Sequence, residues 1–515
     1  MGKHYIIAHD IGTTGNKATL YSSDGELISS TLYKYQTFYP KTGWAEQNPL
    51  DWWQAVCDTT KTLLEKTSVT REQIGAVSFS GQMLGCLLVD RQGDPLGNAI
   101  IWADMRASDQ AKRLEEDLGM ETVYQITGHR ISSSYSGAKI KWVKEHQPDV
   151  FKRAYKILQA KDYLVYRLTG TFATDYSDAC GTNCFDLVNK VWSDDILKAW
   201  GIEKDIFPDL HASTDVIGGV TDWAAKETGL LQGTPVVIGG GDGVCAAAGV
   251  GVIDEGEAFN YIGSSSWVAT ASNKPIFDPE MKTYTWVHLD ANKYSPNGTM
   301  QCGGGSMQWV TELLYQDSKQ DVSMYELMNL EAEKSPPTSR GLVYLPYLMG
   351  ERSPRWNPDA RGAFVGLSIT HTRGDMARSV MEGVAYNLKI VLDTFQKEGT
   401  PINYMWVLGG GAKSALWRQI LADIYGLDVY VPSYLDEATS MGAAMAGAVG
   451  SGLIKDFQEA KRWVKRVNIH HPQPDFQNKY REFFPLFNET YSQLIPVYER
   501  LKNFNYTTNN RHLYK

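Results

Sequence analysis

The sequence predicts an α/β protein made of two similar halves. Short apolar strands alternate with amphipathic helices along the chain, which excludes the all-α and all-β classes. A pattern of strand, glycine-rich turn and strand begins each half, and each half also has a triple glycine between a strand and a helix. Turns of this composition also recur by chance in α/β proteins, so the pattern alone leaves duplication and coincidence open.

The length and composition are typical of a globular protein. The 515 residues are enough for two large domains or about three smaller ones, and 43% of them are hydrophobic. The net charge of −9 predicts no binding to nucleic acid or to an anionic membrane surface. The 18-residue run 236–253 contains six glycines and Asp242, so we interpret it as strand, turn and helix and not as a membrane span.

The cysteines and the first residues predict a cytoplasmic protein. Six cysteines are scattered without a CxxC pair, which is typical of a reduced compartment. The first residues lack the basic flank and apolar core of a signal peptide. The pair His470 and His471 has no third candidate ligand nearby in the sequence, so we interpret it as a surface turn in preference to a metal site.

The first half is predicted to begin with a hairpin. Residues 5–10 and 17–21 have the alternation of two strands joined by a turn, and a third strand follows from Glu26. The elements after these are, in order, a helix at 49–65 that Asp51 can cap, strands at 74–80 and 86–89, and helices at 107–118 and 136–146.

The second half is predicted to restart with the same pattern. Residues 258–262 and 267–270 form a second pair of strands around the turn 263–266, and a boundary between the halves fits at 251–256. The segment 456–515 is rich in Phe, Tyr and basic residues. It predicts one or two helices that either pack back on the body or form an oligomer contact.

The first hairpin carries the groups that a phosphate needs. Gly12 allows close approach of the backbone, Thr13 and Thr14 offer N–H and O–H donors, and Lys17 offers a positive charge. Asp10 beside phosphates would be repulsive without a cation, which implies Mg²⁺ held through water. The alternative is an ordinary hairpin with a salt-bridged Asp10, and the GxxxxGK[ST] loop does not occur in the sequence.

Asp242 is the strongest single candidate for a catalytic residue. It stands within the run Gly-Gly-Gly-Asp-Gly, at the junction of an apolar strand and an Ala-rich helix. One interpretation is an N-cap, a common position for Asp. The other is a general base, which the helix dipole keeps ionised and which flanking glycines open to a substrate hydroxyl. The local sequence does not separate the two.

Other loops are weaker candidates. The turn 263–266 is a second place for phosphate oxygens, and the run 409–414 before a helix could receive a nucleotide against bare backbone. Gln82 and Asp104 follow predicted strands and could bond sugar hydroxyls. Trp102 could stack on a sugar face, although a lone Trp is more often part of a core.

Several ordered motifs resemble the FGGY family of carbohydrate kinases, and within it the xylulokinase-like branch. The segment 134–146 is similar to the first family signature, and the segments 362–367 and 375–382 are similar to the second. The remaining motifs, in the order of the family, are Asp10 to Thr14, Gly240 to Asp242, Leu345 to Pro354, Leu408 to Gly411, and Glu437 to Gly442. Together they cover most of the chain.

The resemblance implies a duplicated actin-like (ribonuclease-H-like) ATPase fold with ATP and Mg²⁺ in a central cleft. We expect two domains: 1–252 on the sugar and phosphate side, and 253–515 on the nucleotide side with the C-terminal helices. By matching position, Asp242 is implied to be the catalytic base and Asp10 the magnesium-side acid. The remaining implied residues are Gln82, Met83 and Asp104 for the sugar, Gly12, Thr13, Thr14, Gly263, Ser264 and Ser265 for phosphate, and Gly410, Gly411, Ala412 and Ser414 for the nucleoside.

The implied activity is phosphorylation of a hydroxyl of a small sugar by ATP, in the first place a ketopentose such as xylulose. Xylulokinases typically carry Met-His after the strand that ends near Gln82, and glycerol kinases carry Arg-Glu, whereas this chain has Met83-Leu84. A site built around a polar partner discriminates more strongly than one lined with methyl groups. Another ketose, a polyol or a sugar acid of the gluconate, erythritol or glycerol type is therefore an alternative substrate.

Two further classes of function remain as rivals. An actin-like ATPase would hydrolyse ATP without sugar, and a silent regulator would bind sugar without turnover. The family motifs disfavour the first, and the presence of Asp10, Asp242 and both phosphate turns disfavours the second. The expected partner is a small sugar, and a homodimer is left open.

Overall fold

The computed structural model describes residue 2, residues 4–316 and residues 323–504. The predicted segment 456–515 therefore lies partly outside the described residues. The helices are α1 (Pro49–Lys66), α2 (Ser108–Leu118), α3 (Met120–Thr127), α4 (Ser136–His146), α5 (Pro148–Arg153), α6 (Ala160–Thr169), α7 (Tyr176–Cys180), α8 (Asp194–Trp200), α9 (Asp222–Thr228), α10 (Asp242–Gly249), α11 (Gly304–Tyr315), α12 (Met324–Glu333), α13 (Arg373–Lys397), α14 (Ala415–Tyr425), α15 (Ala438–Gly450), α16 (Phe457–Ala460) and α17 (Pro474–Leu501).

The strands alternate with these helices. They are β1 (Tyr5–Ile11), β2 (Gly15–Ser22), β3 (Leu27–Lys34), β4 (Glu46–Gln47), β5 (Ile74–Gly81), β6 (Leu87–Val89), β7 (Ala99–Ile100), β8 (Lys156–Leu158), β9 (Ala173–Asp175), β10 (Phe185–Asp186), β11 (Val191–Trp192), β12 (Asp209–His211), β13 (Val216–Gly219), β14 (Pro235–Val237), β15 (Gly240–Gly241), β16 (Gly256–Ile262), β17 (Ser266–Thr270), β18 (Tyr284–Val287), β19 (Tyr294–Met300), β20 (Val343–Leu345), β21 (Ala363–Val365), β22 (Ile402–Leu408), β23 (Asp428–Pro432) and β24 (Arg466–His470).

Both predicted hairpins are present. β1 and β2 pair antiparallel, and the residues between them form the predicted turn. The predicted helices 49–65 and 136–146 correspond to α1 and α4, with ends that agree to within one residue. The predicted cap of α1 is wrong, because the Asn48 side chain accepts the hydrogen bond from the Leu50 N–H, while Asp51 lies in the first turn.

The chain divides into two compact units. The first unit consists of Met1–Ala258, Ala269–Pro296 and Pro432–Arg466, and the second consists of Phe259–Val268, Asn297–Val431 and Val467–Lys515. The division of the chain into domains at residue 252 stays a prediction.

The first unit is built on a mixed sheet with a core on each face. Its strand order is β13-β14-β5-β1-β2-β3, and β15 also pairs with β5. Because side chains alternate along a strand, Ile6 and Ala8 of β1 enter one core, while Ile7 and Ile11 enter the other. Helices therefore cover both faces, as expected for a sheet with buried parallel strands.

The second unit repeats this arrangement. Five strands of its sheet lie in the order β19-β17-β16-β22-β23, and β18 and β24 extend this sheet at its two sides. This order corresponds to β3-β2-β1-β5-β14 of the first unit. In each unit a strand from later in the sequence, β5 or β22, lies beside the first strand of the hairpin, β1 or β16. The duplicated fold that the two hairpins left open is therefore present.

The C-terminal helix α17 packs back on the second unit. The Tyr480 hydroxyl donates to Glu382 Oε1 of α13 at 2.7 Å, and Arg355 Nη2 donates to Asn488 Oδ1 at 2.6 Å. Among the described residues, no helix combines the length and apolar composition needed to cross a lipid bilayer.

Gly239 offers a test of the backbone that precedes Asp242. Its φ is +71°, and a Cβ atom there would lie 1.8 Å from the Phe79 carbonyl oxygen. We expect Gly239→Ala to lower the free energy of unfolding by about 1–3 kcal/mol, because alanine resists a left-handed backbone and the carbonyl cannot move freely. Urea unfolding followed by tryptophan fluorescence measures this change.

The matched control is Gly97→Ala. No atom lies within 4 Å of a Cβ at Gly97, and its φ is not left-handed. Equal losses of stability in the two variants would contradict the expectation.

Candidate active site

Three predicted site residues follow neighbouring parallel strands. β1 pairs parallel with β5, with Asp10 opposite Ser80, and β15 pairs parallel with β5, with Gly241 opposite Gly81. Parallel strands end at the same edge of a sheet. Asp10, Gln82 and Asp242 are therefore brought to one edge of the first unit.

Asp242 begins helix α10 and does not cap it. Gly241 occupies the N-cap position, and no side chain makes the capping hydrogen bond. The Asp242 side chain is exposed, so its carboxylate is open to an incoming group. This geometry removes the capping interpretation and leaves the carboxylate at the positive end of the helix.

The Asp242 carboxyl group is also electrostatically perturbed. Crowding by surrounding protein, followed by the negative charge of Asp10, raises the pKa of Asp242 to about 7. A carboxylate with a raised pKa is suited to accept a proton near neutral pH.

The Asp10 side chain is half-buried, and its carboxylate is hydrogen-bonded by a residue from the last stretch of the first unit. Thr439 Oγ1 donates to Asp10 Oδ2 at 2.6 Å. Burial raises the pKa of Asp10, against the opposing effects of the Thr439 hydrogen bond and the Lys17 charge. The negative charge of Asp10 in turn raises the pKa of Asp242, and a carboxylate pair of this kind favours a bound cation.

The turn between β1 and β2 is braced from outside. The Tyr35 hydroxyl donates to the Gly12 carbonyl oxygen at 2.6 Å, and Gln47 Nε2 donates to the Thr13 carbonyl oxygen at 2.6 Å. Thr14 is exposed at the tip. The carbonyl groups of Gly12 and Thr13 are thus held by the protein, which leaves the exposed Thr14 open to a ligand.

Lys17 lies on β2 directly opposite Asp10. Its Nζ donates to the Asp436 carbonyl oxygen at 2.6 Å and lies 3.8 Å from Glu437 Oε1. The predicted contact of Lys17 with phosphate would have to replace or share these partners.

The predicted sugar residues Gln82, Met83 and Trp102 surround the same edge. Gln82 is buried, and its Nε2 donates to Gln47 Oε1 at 2.7 Å. Met83 packs against the backbone before Asp242, since a Cβ at Gly241 would lie 2.4 Å from the Met83 sulfur. Trp102 is 41% exposed and does not belong to a core.

The Trp102 indole connects the predicted sugar and phosphate residues. Its Nε1 donates to Thr13 Oγ1 at 2.9 Å. An exposed ring fixed at its polar end offers a flat apolar face, which suits a sugar ring.

Asp104 differs from these residues because it is buried and already paired. Its Oδ2 accepts hydrogen bonds from the Ala45 N–H at 2.6 Å and from Arg106 Nη2 at 2.7 Å. The Arg106 guanidinium lies 3.7 Å from the centre of the Trp44 ring and also donates to Glu46. These contacts give Asp104 a structural part in ordering its loop, and its contact with sugar stays a prediction.

Leu84, which stands where xylulokinases typically carry His, has a left-handed backbone with φ of 67°. Its carbonyl oxygen accepts a hydrogen bond from Lys139 Nζ at 2.8 Å, and Lys139 also donates to the Ser134 carbonyl oxygen. Burial lowers the pKa of Lys139 to about 7. The loop after β5 is therefore held by a buried lysine of the first signature segment.

The second unit contains a pocket of about 690 Å³. Five of the predicted phosphate and nucleoside residues line it: Gly263, Ser264, Gly410, Gly411 and Ser414, which caps α14. Ser265 and Ala412 do not line it, and Ala412 is buried. A Cβ at Gly410 would meet no atom within 4 Å, so the bare backbone there faces open space.

The turns of this pocket depend on close backbone approach. The Gly304 N–H donates to the Gly263 carbonyl oxygen at 2.7 Å, and a Cβ at Gly304 would lie 2.4 Å from that oxygen. A Cβ at Gly409 would lie 2.6 Å from the Ile262 carbonyl oxygen. Only glycine fits such contacts.

Sequence reasoning missed two parts of this pocket. The run Gly303 to Gly305 is a third triple glycine, and its composition could have indicated it. Asn329 lines the pocket and accepts a hydrogen bond from Ser414 Oγ at 2.6 Å, but nothing in the sequence near Asn329 indicates this.

The histidine pair lies in the second unit, and His470 shares its partner Arg418 with the Ala412 carbonyl oxygen. His470 ends β24 and accepts a hydrogen bond from Arg418 Nε at 3.0 Å, while the exposed His471 lies 2.8 Å from Asp428 Oδ1. His470 is thus part of a strand and not of a turn.

The duplicated fold, the carboxylates at a strand edge and the separate glycine-lined pocket define an ATP-dependent sugar kinase. The chain belongs to the FGGY family of carbohydrate kinases. The family's N-terminal domain matches residues 5–249, and its C-terminal domain matches residues 258–451.

Relatives with this fold are known from curated proteins and solved structures. A xylulose kinase from Bacillus subtilis is 32% identical over 97% of this chain and 99% of its own length. A gluconokinase from the same organism is 32% identical over 94% of each chain. The crystal structure of gluconate kinase from Lactobacillus acidophilus has a TM-score of 0.91 at 29% identity, over 96% of this chain and 99% of its own.

The open space at Gly410 gives a test of whether this pocket is the predicted nucleotide site. We expect Gly410→Leu to raise the KM for ATP by about tenfold or more, because the side chain would occupy the pocket while the KM for sugar stays close to that of the wild type. Steady-state kinetics with ATP and sugar varied separately measure this effect. Gly97→Leu, at another open position, is the control. An unchanged KM for ATP would contradict the assignment of the pocket.

The pKa of Asp242 predicts a pH dependence. A base must be deprotonated to act, so kcat/KM for the sugar should fall as the pH is lowered through about 7 and approach a plateau above it. Initial rates between pH 5 and 9 at low sugar concentration measure this profile. A kcat/KM that stays constant down to pH 5 would show that no group with a raised pKa acts as the base.

Proposed function

We propose that the protein transfers the γ-phosphoryl group of ATP to a hydroxyl of a small neutral sugar, in the first place a ketopentose such as xylulose. The observation that carries this proposal is the accessible Asp242 carboxylate at the start of α10, with its raised pKa. Asp242 acts as the general base, which accepts the proton of the attacking hydroxyl.

The sugar is bound at the edge of the first unit. Trp102 offers its exposed face, while Met83 fixes the backbone before Asp242. The buried Gln82 Oε1 has no hydrogen-bond partner in the described part of the chain, and a sugar hydroxyl would supply one.

The nature of the sugar follows from the charges at this loop. Lys139 donates to the Leu84 carbonyl oxygen and to that of Ser134, and Arg106 is paired with the predicted sugar residue Asp104. A sugar acid would need a cation for its carboxylate. This favours a neutral ketose or polyol over gluconate, although a gluconokinase is among the relatives.

Two groups of residues receive ATP. In the second unit, Gly410, Gly411 and Ser414 bind the nucleoside part, with Ala412 behind them, and Gly263, Ser264 and Ser265 receive phosphate oxygens. In the first unit the phosphate residues are Gly12, Thr13, Thr14 and Lys17. Backbone N–H groups in glycine-rich turns are suited to this task, since they can approach phosphate closely.

Asp10 is the residue that would hold Mg²⁺. The described residues contain no group of three or more His, Cys, Asp or Glu side chains that could hold a metal. A magnesium ion at Asp10 would therefore take most of its ligands from water and phosphate, as Mg²⁺ commonly does. When bound, it would neutralise charge on the phosphates.

We place the protein in the cytoplasm, since its six cysteines are free and buried. Its partners are a small sugar and ATP, with a homodimer left as an open alternative. The rival function is an ATPase that needs no sugar, and the following experiment distinguishes it from the proposed kinase.

ADP release with Mg·ATP, across ketopentoses, aldopentoses, pentitols, tetritols, glycerol and sugar acids with a control without sugar, tests the proposed activity. We expect one neutral sugar to raise ADP release far above the control, and its identity shows what the Leu84 loop accepts. Equal release with and without every sugar would favour the ATPase.

Asp242→Asn tests the proposed base. We expect kcat to fall by roughly 10²- to 10⁴-fold, with ATP binding retained, because the amide cannot accept the proton. Asp222→Asn is the matched control, since Asp222 also begins a helix, α9, on the exposed surface of the first unit. Turnover of Asp242→Asn at the level of Asp222→Asn would contradict the assignment.

A further inference from the structure

A buried ionic cluster lies behind the backbone that carries Asp242. Lys161 Nζ lies 2.7 Å from Asp162 Oδ1, 2.8 Å from Asp175 Oδ1 and 3.1 Å from Asp178 Oδ2. The four side chains are at most 1% exposed. Such a cluster costs free energy to bury and is weak evidence for stability, so its position in the fold needs another explanation.

The charges of this cluster are mutually dependent. Burial opposes the charge of Lys161, but the three carboxylates hold the pKa of the ammonium group well above its usual value. Burial also raises the pKa of Asp178, against the attraction of Lys161. The ammonium group thus anchors the Asp175 carboxylate, which is the member linked through Ser177 to Gly241.

A chain of hydrogen bonds leads from Asp175 to the residue before Asp242. Ser177 Oγ donates to Asp175 Oδ2 at 2.5 Å. The same Ser177 oxygen accepts a hydrogen bond from the Gly241 N–H at 2.9 Å. The Ser177 hydroxyl donates its hydrogen bond to Asp175, so the lone pairs of its oxygen point away from Asp175. One of them can accept the hydrogen bond from the Gly241 N–H.

The Gly240-Gly241 backbone is confined on several sides. β15 pairs with β5 on one side, and a Cβ at Gly240 would lie 3.1 Å from Ser177 Oγ and 2.5 Å from Leu289. Lys161 itself packs against the end of β5, since a Cβ at Gly81 would lie 3.1 Å from Lys161 Cβ. The cluster therefore contacts β5 directly through Lys161 and is linked to β15 through Ser177.

Resting on the proposed role of Asp242 as the base, we propose that Ser177 is a positioning residue for Asp242. Held by Asp175 and Lys161, its hydroxyl fixes the Gly241 peptide and with it the first turn of α10. The Asp242 carboxylate is thereby kept in reach of the acceptor hydroxyl. A displacement of about 1 Å at a reacting group can cost on the order of 10²-fold in rate.

A purely structural role is the competing explanation. Asp175 caps α7, accepting hydrogen bonds from the Ser177 and Asp178 N–H groups, and Ser213 Oγ also donates to Asp175 Oδ2, at 2.8 Å. If only the environment of Asp175 matters, the hydroxyl groups of Ser177 and Ser213 are equivalent. Both serines are buried, and only that of Ser177 also accepts from Gly241.

The experiment compares Ser177→Ala and Ser213→Ala in the full-length chain with the wild type. We expect Ser177→Ala to lower kcat by about 10- to 100-fold, with both KM values within about threefold of the wild type. Ser213→Ala should keep the kcat of the wild type. Thermal unfolding of each variant shows whether the variants are folded to the same extent. If Ser177→Ala does not fold, Ser177→Cys replaces it, because cysteine keeps the shape of the serine side chain.

A double variant shows whether Ser177 acts through Asp242. In the Asp242→Asn background, we expect Ser177→Ala to cause no further loss of kcat, because the base is already absent. A wild-type kcat in Ser177→Ala, equal losses in both serine variants, or a full additional loss in the double variant would overturn the proposal.

These outcomes are distinct from a failure of the proposed function. A wild type that phosphorylates no sugar, or an Asp242→Asn variant with full turnover, would overturn the proposed function and this inference with it. An active wild type, an inactive Asp242→Asn variant and a fully active Ser177→Ala variant would overturn the inference alone.

Discussion

The site depends on one property of parallel sheets: neighbouring parallel strands end at the same edge. β15, β5 and β1 lie side by side, so the residues that follow or end them, Asp242, Gln82 and Asp10, meet although they are far apart in sequence. β2 returns antiparallel from that edge and brings Lys17 opposite Asp10. The same edge therefore supplies the proposed base, the predicted sugar loop and the predicted phosphate turn, which strand order brings together.

Glycine and alanine serve packing as well as ligand approach. A Cβ at Gly442 of α15 would lie 1.9 Å from the Cys245 carbonyl oxygen of α10, and one at Gly249 would lie 1.9 Å from that of Ala438. The two helices therefore approach to backbone contact, which larger side chains would prevent. In the sequence, the small residues around Asp242 look like a turn that binds a ligand. The small residues that follow them in α10 are required by its backbone contact with α15.

Local sequence patterns predicted much of the fold. They predicted less of the site, because its contacts join residues that are far apart in the sequence. The hairpins and α4 have signals within about ten residues, and the second hairpin with its glycine turn correctly indicated a repeat. The pairing of Asp104 with Ala45, of Ser177 with Gly241 and of Asn329 with Ser414 depends on partners 59 to 85 residues away. No local pattern contains this information, so the burial of Asp104 and the contact of Ser177 became visible only in the folded chain.

The first unit is assembled from three separate stretches of sequence, and the last of them ends at Arg466. This stretch contains α15, whose Gly447 lies against Ile6 and Ser78 of the central strands. During synthesis, the apolar face of β1 and β5 therefore stays uncovered until α15 has left the ribosome. A chain truncated before α15 would expose this apolar face of the sheet and would be a target for chaperones and proteases.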